Sequence, residues 1–382
     1  MKLAYISPSV LPSRSANSVH VMQQCDALDK LGVDVTLFAK RSQKHTSDLR
    51  TGLRGAYGVD LERVVLSTVY TPWSRFNNLT IALHAMLQVL KGGFDAVLSR
   101  NLFASFLLAT LARMTLIIEV HQVESGFRGL LQRLACRRKH VSIVVISNQL
   151  GLDLAQMVGN GVAPIHVLHD AAPDLPALPM EEERQSWRRE LLGDPSERAG
   201  FVCSYVGHLY PGRGIEVIEG LARDCPDVLF LAIGGNEDAI VERRLHNAAS
   251  NLRFLGHLPH PAARRAMSAV DLLLMPYQAQ VSIGLVGHDT GRWMSPMKMF
   301  EYMSSGTPFV ASDLPVLREV LRDGDNAVLV APNDLPAWRR SILALQDDPA
   351  LRQTLARRAY DDYQAHYTWR RRAERIRALA AM

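Results

Sequence analysis

Lys298 and Glu301 lie close behind Ser295-Pro296 in the run Ser295-Pro296-Met297-Lys298-Met299-Phe300-Glu301-Tyr302. These residue types at this spacing suit the handling of a phosphate beside a hydroxylated ligand. Ser295 is a good helix N-cap, and Pro296 suits the first helical position, where a missing N–H costs nothing. The predicted helix runs to Ser304-Ser305 and stops at Gly306, and the chain then turns into an apolar strand, Pro308–Ala311. Free N–H groups at a helix start carry partial positive charge and cradle anions. A lysine in the first turn opposes the helix dipole, which points to an external anion, most simply a phosphate. Glu301 falls one turn further along the same face, where a carboxylate can accept from two sugar hydroxyls. Ser295, Pro296, Met297, Lys298 and Glu301 are therefore candidate nucleotide-binding positions. An ordinary amphipathic helix with a surface Lys–Glu pair fits the same residues.

The elements that would position this helix repeat along the chain. Its 382 residues exceed one ordinary core, and 48% hydrophobic with 21% charged residues is a globular composition. A net charge of +5 suits an anionic ligand or an anionic membrane surface without requiring either. Cys25, Cys136, Cys203 and Cys225 are scattered and read as reduced thiols. The opening run Met1–Ile6 reads as a strand and not a leader, and no apolar stretch reads as a membrane span because Arg113 interrupts the longest. Short apolar strands alternate with helical patterns from Leu3 to Ile146. A proline- and charge-rich connector follows, and a second alternating block begins at Phe201. Two β/α blocks imply two doubly wound parallel sheets. The expected division is 1–170, a connector over 171–200, and 201–365, with a final arginine-rich helix over 366–382.

The helix just described, the Gly306-Thr307-Pro308-Phe309-Val310-Ala311-Ser312-Asp313 turn and strand, and the Val206-Gly207-His208…Gly212-Arg213-Gly214 loop resemble retaining glycosyltransferases of the GT-B fold, family four. Asn17-Ser18-Val19-His20, Ile118-Glu119-Val120-His121, Val145-Ile146-Ser147-Asn148 and Leu168-His169-Asp170 fall in order where that family carries comparable segments. The resemblance spans essentially the whole chain and is strongest over 201–330. It implies an α/β, GT-B architecture of two Rossmann-like domains facing across a cleft, with the final helix packed back on the first domain. One departure stands out. The family usually has two glutamates on this loop and helix; Glu301 matches the second, but Trp293 occupies the first position, and Asp289 is a candidate replacement. The Ser-Pro-x-Lys form is similar to a subgroup of bacterial surface-polysaccharide enzymes.

The resemblance implies transfer of a sugar from a nucleoside diphosphate to a hydroxyl of a glycan or lipid-linked saccharide, with retention by front-side attack. Such chemistry needs preorganised positive charge at the leaving diphosphate. Arg213, in a Gly-Arg-Gly loop, and Lys298 are the candidates, with His208 and the backbone at Gly207 as further contacts. Glu301 would hold the ribose hydroxyls, and the base would lie near Gly235 and His257. His121, at the carboxyl end of a strand, is the candidate for contacting the donor sugar. Glu119 is expected to face elsewhere because strand side chains alternate. Asn17 is the candidate for a strained backbone turn at the donor phosphate, because it tolerates positive φ; Asn17, His20 and Arg100 are candidates for the acceptor side. No cofactor or metal is expected: the 13 histidines show no ligand spacing.

Phe127–Lys139 combines helical apolar spacing with a basic end, which suits either an anionic bilayer or a helix packed on the first sheet. The protein is expected in the cytoplasm or at the inner membrane face, without nucleic-acid partners. Three other readings compete. A dinucleotide oxidoreductase needs GxGxxG after the first strand, where Ser7-Pro8-Ser9-Val10 stands instead. A catalytically impaired nucleotide-sugar-binding subunit would explain Trp293, and a membrane-recruitment scaffold would bind vesicles alone.

Overall fold

The computed structural model describes residues 1–13, 15–41, 49–70, 77–175, 177–193, 200–246, 249–281 and 291–382. The chain forms two compact units, Met1–Pro173 with Thr368–Met382, and Asp174–Tyr367. Asp289 lies outside the described residues.

The first unit holds a seven-stranded parallel sheet. Its strands are β1 (Lys2–Leu11), β2 (Asp34–Arg41), β3 (Val65–Tyr70), β4 (Ala96–Ser99), β5 (Thr115–Val120), β6 (Val141–Val145) and β7 (Ile165–Val167). They lie in the order β3-β2-β1-β4-β5-β6-β7. The central strands are apolar on both faces because helices cover both sides; Leu3, Ile6, Val97, Ile117 and Ile143 are all inaccessible. β1 shifts register against β2 between Ile6 and Val10, where Pro8 lacks a ladder donor. Helix Trp369–Ala380 belongs to this unit and packs on helix Ala16–Lys30, burying Trp369, Arg372 and Ile376.

The second unit carries a six-stranded parallel sheet in the order β10-β9-β8-β11-β12-β13. Its strands are β8 (Phe201–Val206), β9 (Val228–Ile233), β10 (Leu252–Gly256), β11 (Leu272–Met275), β12 (Phe309–Ser312) and β13 (Val328–Val330). Tyr205, Phe230, Leu274 and Trp338 anchor its core. The charged helix of the connector, Glu181–Leu192, packs on helix His260–Ser268 within this unit. In both sheets the strand order reverses direction at the centre, between β1 and β4 and between β8 and β11. Loops leaving the carboxyl ends of those strands diverge there, which opens space for a ligand.

Candidate active site

At the centre of the second sheet, Gly207-His208 follow β8 and Pro276-Tyr277 follow β11. The Tyr302 hydroxyl accepts from the Val206 N–H at 2.9 Å and donates to the Leu274 carbonyl at 3.2 Å. That pair of bonds pins helix Met297–Ser304 to the ends of both strands. One turn earlier on the same face, Lys298 reaches into the junction. Its Nζ is buried with no hydrogen-bond partner, 4.1 Å from the Tyr205 ring centroid and 5.0 Å from that of Tyr277. Ring faces offset only part of the desolvation of an ammonium group. Burial, and then the Arg213 guanidinium, hold Lys298 well below the ordinary lysine range, while Glu301 pulls the other way. A Cβ on Gly207 would collide with this ammonium, so the strand end must be glycine for Lys298 to sit there.

Arg213 precedes Gly214, whose φ of +86° caps helix Ile215–Asp224 and whose Cα faces the Pro276 carbonyl with no room for a Cβ. The arginine Nη1 donates to the Tyr277 hydroxyl at 2.9 Å, and its guanidinium carbon lies 5.1 Å from that ring centroid. Tyr277 thus serves both cations. His208 stacks on Tyr210 at 4.8 Å; desolvation, then Arg213, Lys298 and His257, push its imidazole pKa down. No side chain among the described residues donates to the Glu301 carboxylate, which remains available to a ligand. Gly235, with φ of +81°, follows β9 beneath Leu209, and His257 follows β10 at the surface.

The helix start differs from expectation by one residue. Pro296, not Ser295, is the N-cap, with φ −73° and ψ 119° and no side-chain cap bond. Ser295 is buried one position earlier and Met297 is the first helical residue. A proline cap leaves the first-turn N–H groups without a side-chain acceptor, which suits an incoming anion. Trp293 lies half-buried in the turn ahead.

A second charged cluster occupies the carboxyl ends of the first sheet. Glu119 on β5 is its hub. Its Oε1 accepts from His121 Nε2 at 3.1 Å and from Arg372 Nη2 at 2.8 Å, and lies 2.9 Å from His20 Nε2, off-axis for a hydrogen bond. The expectation that Glu119 faces elsewhere is therefore wrong. Alternation separates neighbours, but Glu119 and His121 differ by two positions and share a face. His20 Nδ1 bonds Asp170 Oδ1 at 2.8 Å, and the ring packs edge-on against Trp369 and His121. Both His20 nitrogens face carboxylates and the residue is 2% exposed, so it sits behind His121 instead of facing an open acceptor side. Asn17 does not occupy a strained turn: it lies inside helix Ala16–Lys30, no described non-glycine residue has positive φ, and its Nδ2 donates to Ser9 Oγ at 2.8 Å.

Arg372 reaches the hub from the last helix, donating also to Gln24 Oε1 at 2.6 Å and to the His169 carbonyl at 3.1 Å. Burial alone would raise the Glu119 pKa, but Arg372, then Arg100 and His20, hold it well below the usual carboxylate range. His121 moves the opposite way: desolvation, then Arg100, lower it to about 4, against the pull of Glu119. Its ring is 30% exposed, and solvent at that edge weakens the shift without reversing it. With Nε2–H directed to Glu119, Nδ1 is left as the acceptor. Arg100 follows β4 and keeps a buried Nη1 without a partner. Spacing hid the histidine pair, since His20, Glu119 and His121 place ligand-type atoms within 4.8 Å of one another. A divalent ion there would have to displace Arg372 from Oε1 and sit beside Arg100, so this donor set fits a hydrogen-bonded hub better than a metal centre.

Residues 201–348 match the family model described as glycosyl transferases group 1. That match falls within the second unit and takes in its whole six-stranded sheet. The chain is 28% identical over 183 residues to phosphatidyl-myo-inositol mannosyltransferase of Mycolicibacterium smegmatis, an alignment covering 47% of this chain and 44% of that one. It spans about half the length of the curated relatives it matches. Among solved structures, sucrose-phosphate synthase of Thermosynechococcus elongatus superposes with TM-score 0.74 at 18% identity, covering 100% of this chain and 98% of that one. Anabaena HepE in complex with UDP and glucose gives 0.73 at 16% identity, covering 100% of both. These likenesses show the fold: two Rossmann-like parallel-sheet domains of the GT-B type.

Proposed function

We propose that this protein is a metal-independent, retaining glycosyltransferase, moving a sugar from a nucleoside diphosphate to a hydroxyl of a glycan or lipid-linked saccharide during assembly of a bacterial surface polysaccharide. The observation that carries the reading is the buried, unpartnered Lys298 ammonium beside Arg213 at the centre of the second sheet. Two cations in one junction, one stripped of water and of any counter-ion, are poised for a group with several anionic oxygens, and a diphosphate has the right charge and reach. The UDP and glucose held by HepE, which shares the fold, favour the same donor class, and the mannosyltransferase relative favours sugar transfer.

In this reading the bond from the anomeric carbon to the diphosphate oxygen breaks with its electron pair going to phosphate. Lys298 and Arg213 hold the charge that develops there. The acceptor hydroxyl attacks the anomeric carbon from the same face and gives its proton to a departing phosphate oxygen, so configuration is retained without a protein nucleophile. Glu301 accepts from the ribose hydroxyls. His121, kept neutral by burial and Arg100, accepts from a donor-sugar hydroxyl through Nδ1, while Glu119 fixes its ring.

The test is a thermal-shift screen against UDP, GDP and ADP, followed by turnover of the matching nucleotide sugars. Stabilisation by one nucleotide, lost in Lys298→Met, and transfer with retained anomeric configuration are expected. Binding without turnover would favour the impaired subunit, and no response to any nucleotide would defeat the reading.

A further inference from the structure

We infer that the outer faces of helices Asn77–Leu90, Leu102–Leu111 and Gly126–Ala135 form one surface that docks on an anionic lipid bilayer. The three helices join β3 to β4, β4 to β5 and β5 to β6. Each connection steps in the same direction through the sheet, and right-handed crossovers therefore place all three on one face. They pack side by side, the middle one touching both others.

Helix Asn77–Leu90 buries Ile81, Ala82, Ala85 and Val89 against the sheet and turns Leu83 and Leu87 to solvent, the latter 57% exposed. Leu111 ends the middle helix at 58% exposure. Helix Gly126–Ala135 buries Leu131 and Ala135 and presents Phe127, Leu130 and Leu134, with Phe127 70% exposed. Single exposed leucines need no explanation, but stripes at helical spacing on adjacent helices of one sheet face do.

Charge identifies the occupant. There is no Asp or Glu from Asn77 to Phe94, from Ala96 to Ile118, or from Ser125 to Leu152, whereas Lys91, Arg113, Arg133, Arg138 and Lys139 are all exposed at the ends of these helices. Apolar stripes with a predominantly basic rim, where Glu124 is paired with Arg128 and Asp95 accepts from the Lys2 N–H, match a bilayer with anionic headgroups: leucine and phenylalanine enter the acyl boundary while long basic side chains reach headgroup phosphates. A second copy of the same face would set positive rim against positive rim, which disfavours self-association. No described helix is long and apolar enough to cross a membrane, so the contact is peripheral. The placement of a lipid-linked acceptor near this face rests on the proposed transferase reading; the surface itself does not.

Flotation of the full chain with vesicles of phosphatidylcholine alone, or of phosphatidylcholine with phosphatidylglycerol, tests this. Binding to the anionic vesicles only, weakened by salt, is expected. Arg138→Gln with Lys139→Gln should lower partitioning about 10- to 30-fold. Leu87→Ser with Leu130→Ser should lower it at least roughly tenfold. Both pairs should keep the wild-type melting temperature and its nucleotide response, which separates lost docking from lost folding. Failure of the wild type to float, or flotation untouched by either pair, would overturn the inference, as would a dimer in sedimentation that the leucine pair converts to monomer. Intact flotation with no nucleotide binding would leave this surface standing and sink the transferase reading instead.

Discussion

The two sheets place charge at equivalent points of their topology and resolve it in opposite ways. In the first unit, the Glu119 and Asp170 carboxylates meet His20, His121 and Arg372, so the buried charge faces opposite charge within the protein, while Glu119 Oε2 and Arg100 Nη1 keep no hydrogen-bond partner. In the second, Lys298 lies over two tyrosine rings with no counter-ion on its ammonium. One cluster is preorganised for a neutral, oriented imidazole, and the other is incomplete until an anion arrives. The difference shows how one fold class, used twice, can pair its buried charge internally at one sheet and leave a buried cation without a counter-ion at the other.

The largest expected effect breaks the paired side. Arg372→Met leaves the Glu119 carboxylate buried without its main counter-charge, and the first unit should lose about 3–5 kcal/mol in denaturant unfolding. Unchanged stability would mean the hub is not held as described. The open side should behave in the opposite sense. Lys298→Met removes a buried, unpartnered ammonium, so the ligand-free protein should gain roughly 1–2 kcal/mol while nucleotide affinity falls about 100-fold, read by melting and calorimetry on the same samples. A variant that loses stability and keeps affinity would make Lys298 a structural residue.

A pH experiment sharpens the contrast. His121 is depressed to about 4 in the folded state, below its unfolded value, so the unfolded chain binds more protons across that interval. Its contribution to stability is therefore full at neutral pH and declines as pH falls toward 4, and its ring resonance should stay that of a neutral imidazole through pH 6. A midpoint near the ordinary histidine value would remove the burial argument. The smallest effect belongs to Asn17→Ala, which deletes one part-buried hydrogen bond to Ser9; about 1 kcal/mol of stability and no change in nucleotide affinity are expected in the same assays.

Much of the fold could be read along the chain because parallel strands covered on both faces are continuous apolar runs such as Leu272–Met275, separated by amphipathic helices. Helix Leu49–Tyr57 was harder to read, because it is short and buries only Leu53 and Tyr57. The Lys298 helix was legible from local chemistry, since a proline start followed by a first-turn lysine contradicts ordinary helix electrostatics. Its aromatic lining was not, because Tyr205 and Tyr277 belong to different strand ends that only the sheet order brings together. The first cluster was still less accessible. Glu119 and His121 share a face by simple alternation, but His20, Asp170 and Arg372 come from a helix, a strand end and the final helix. No linear spacing predicts their meeting.

The central claim is that burial disfavours the Lys298 ammonium, lowering its pKa, and that an incoming diphosphate supplies the counter-charge that raises it again. Calorimetric titration with the nucleotide that stabilises the protein, run at about pH 9 in two buffers of different ionisation enthalpy, tests it directly. Net proton uptake on binding to the wild type, absent in Lys298→Met, is the predicted result. Tight binding with no proton uptake, equal in both proteins, would contradict it.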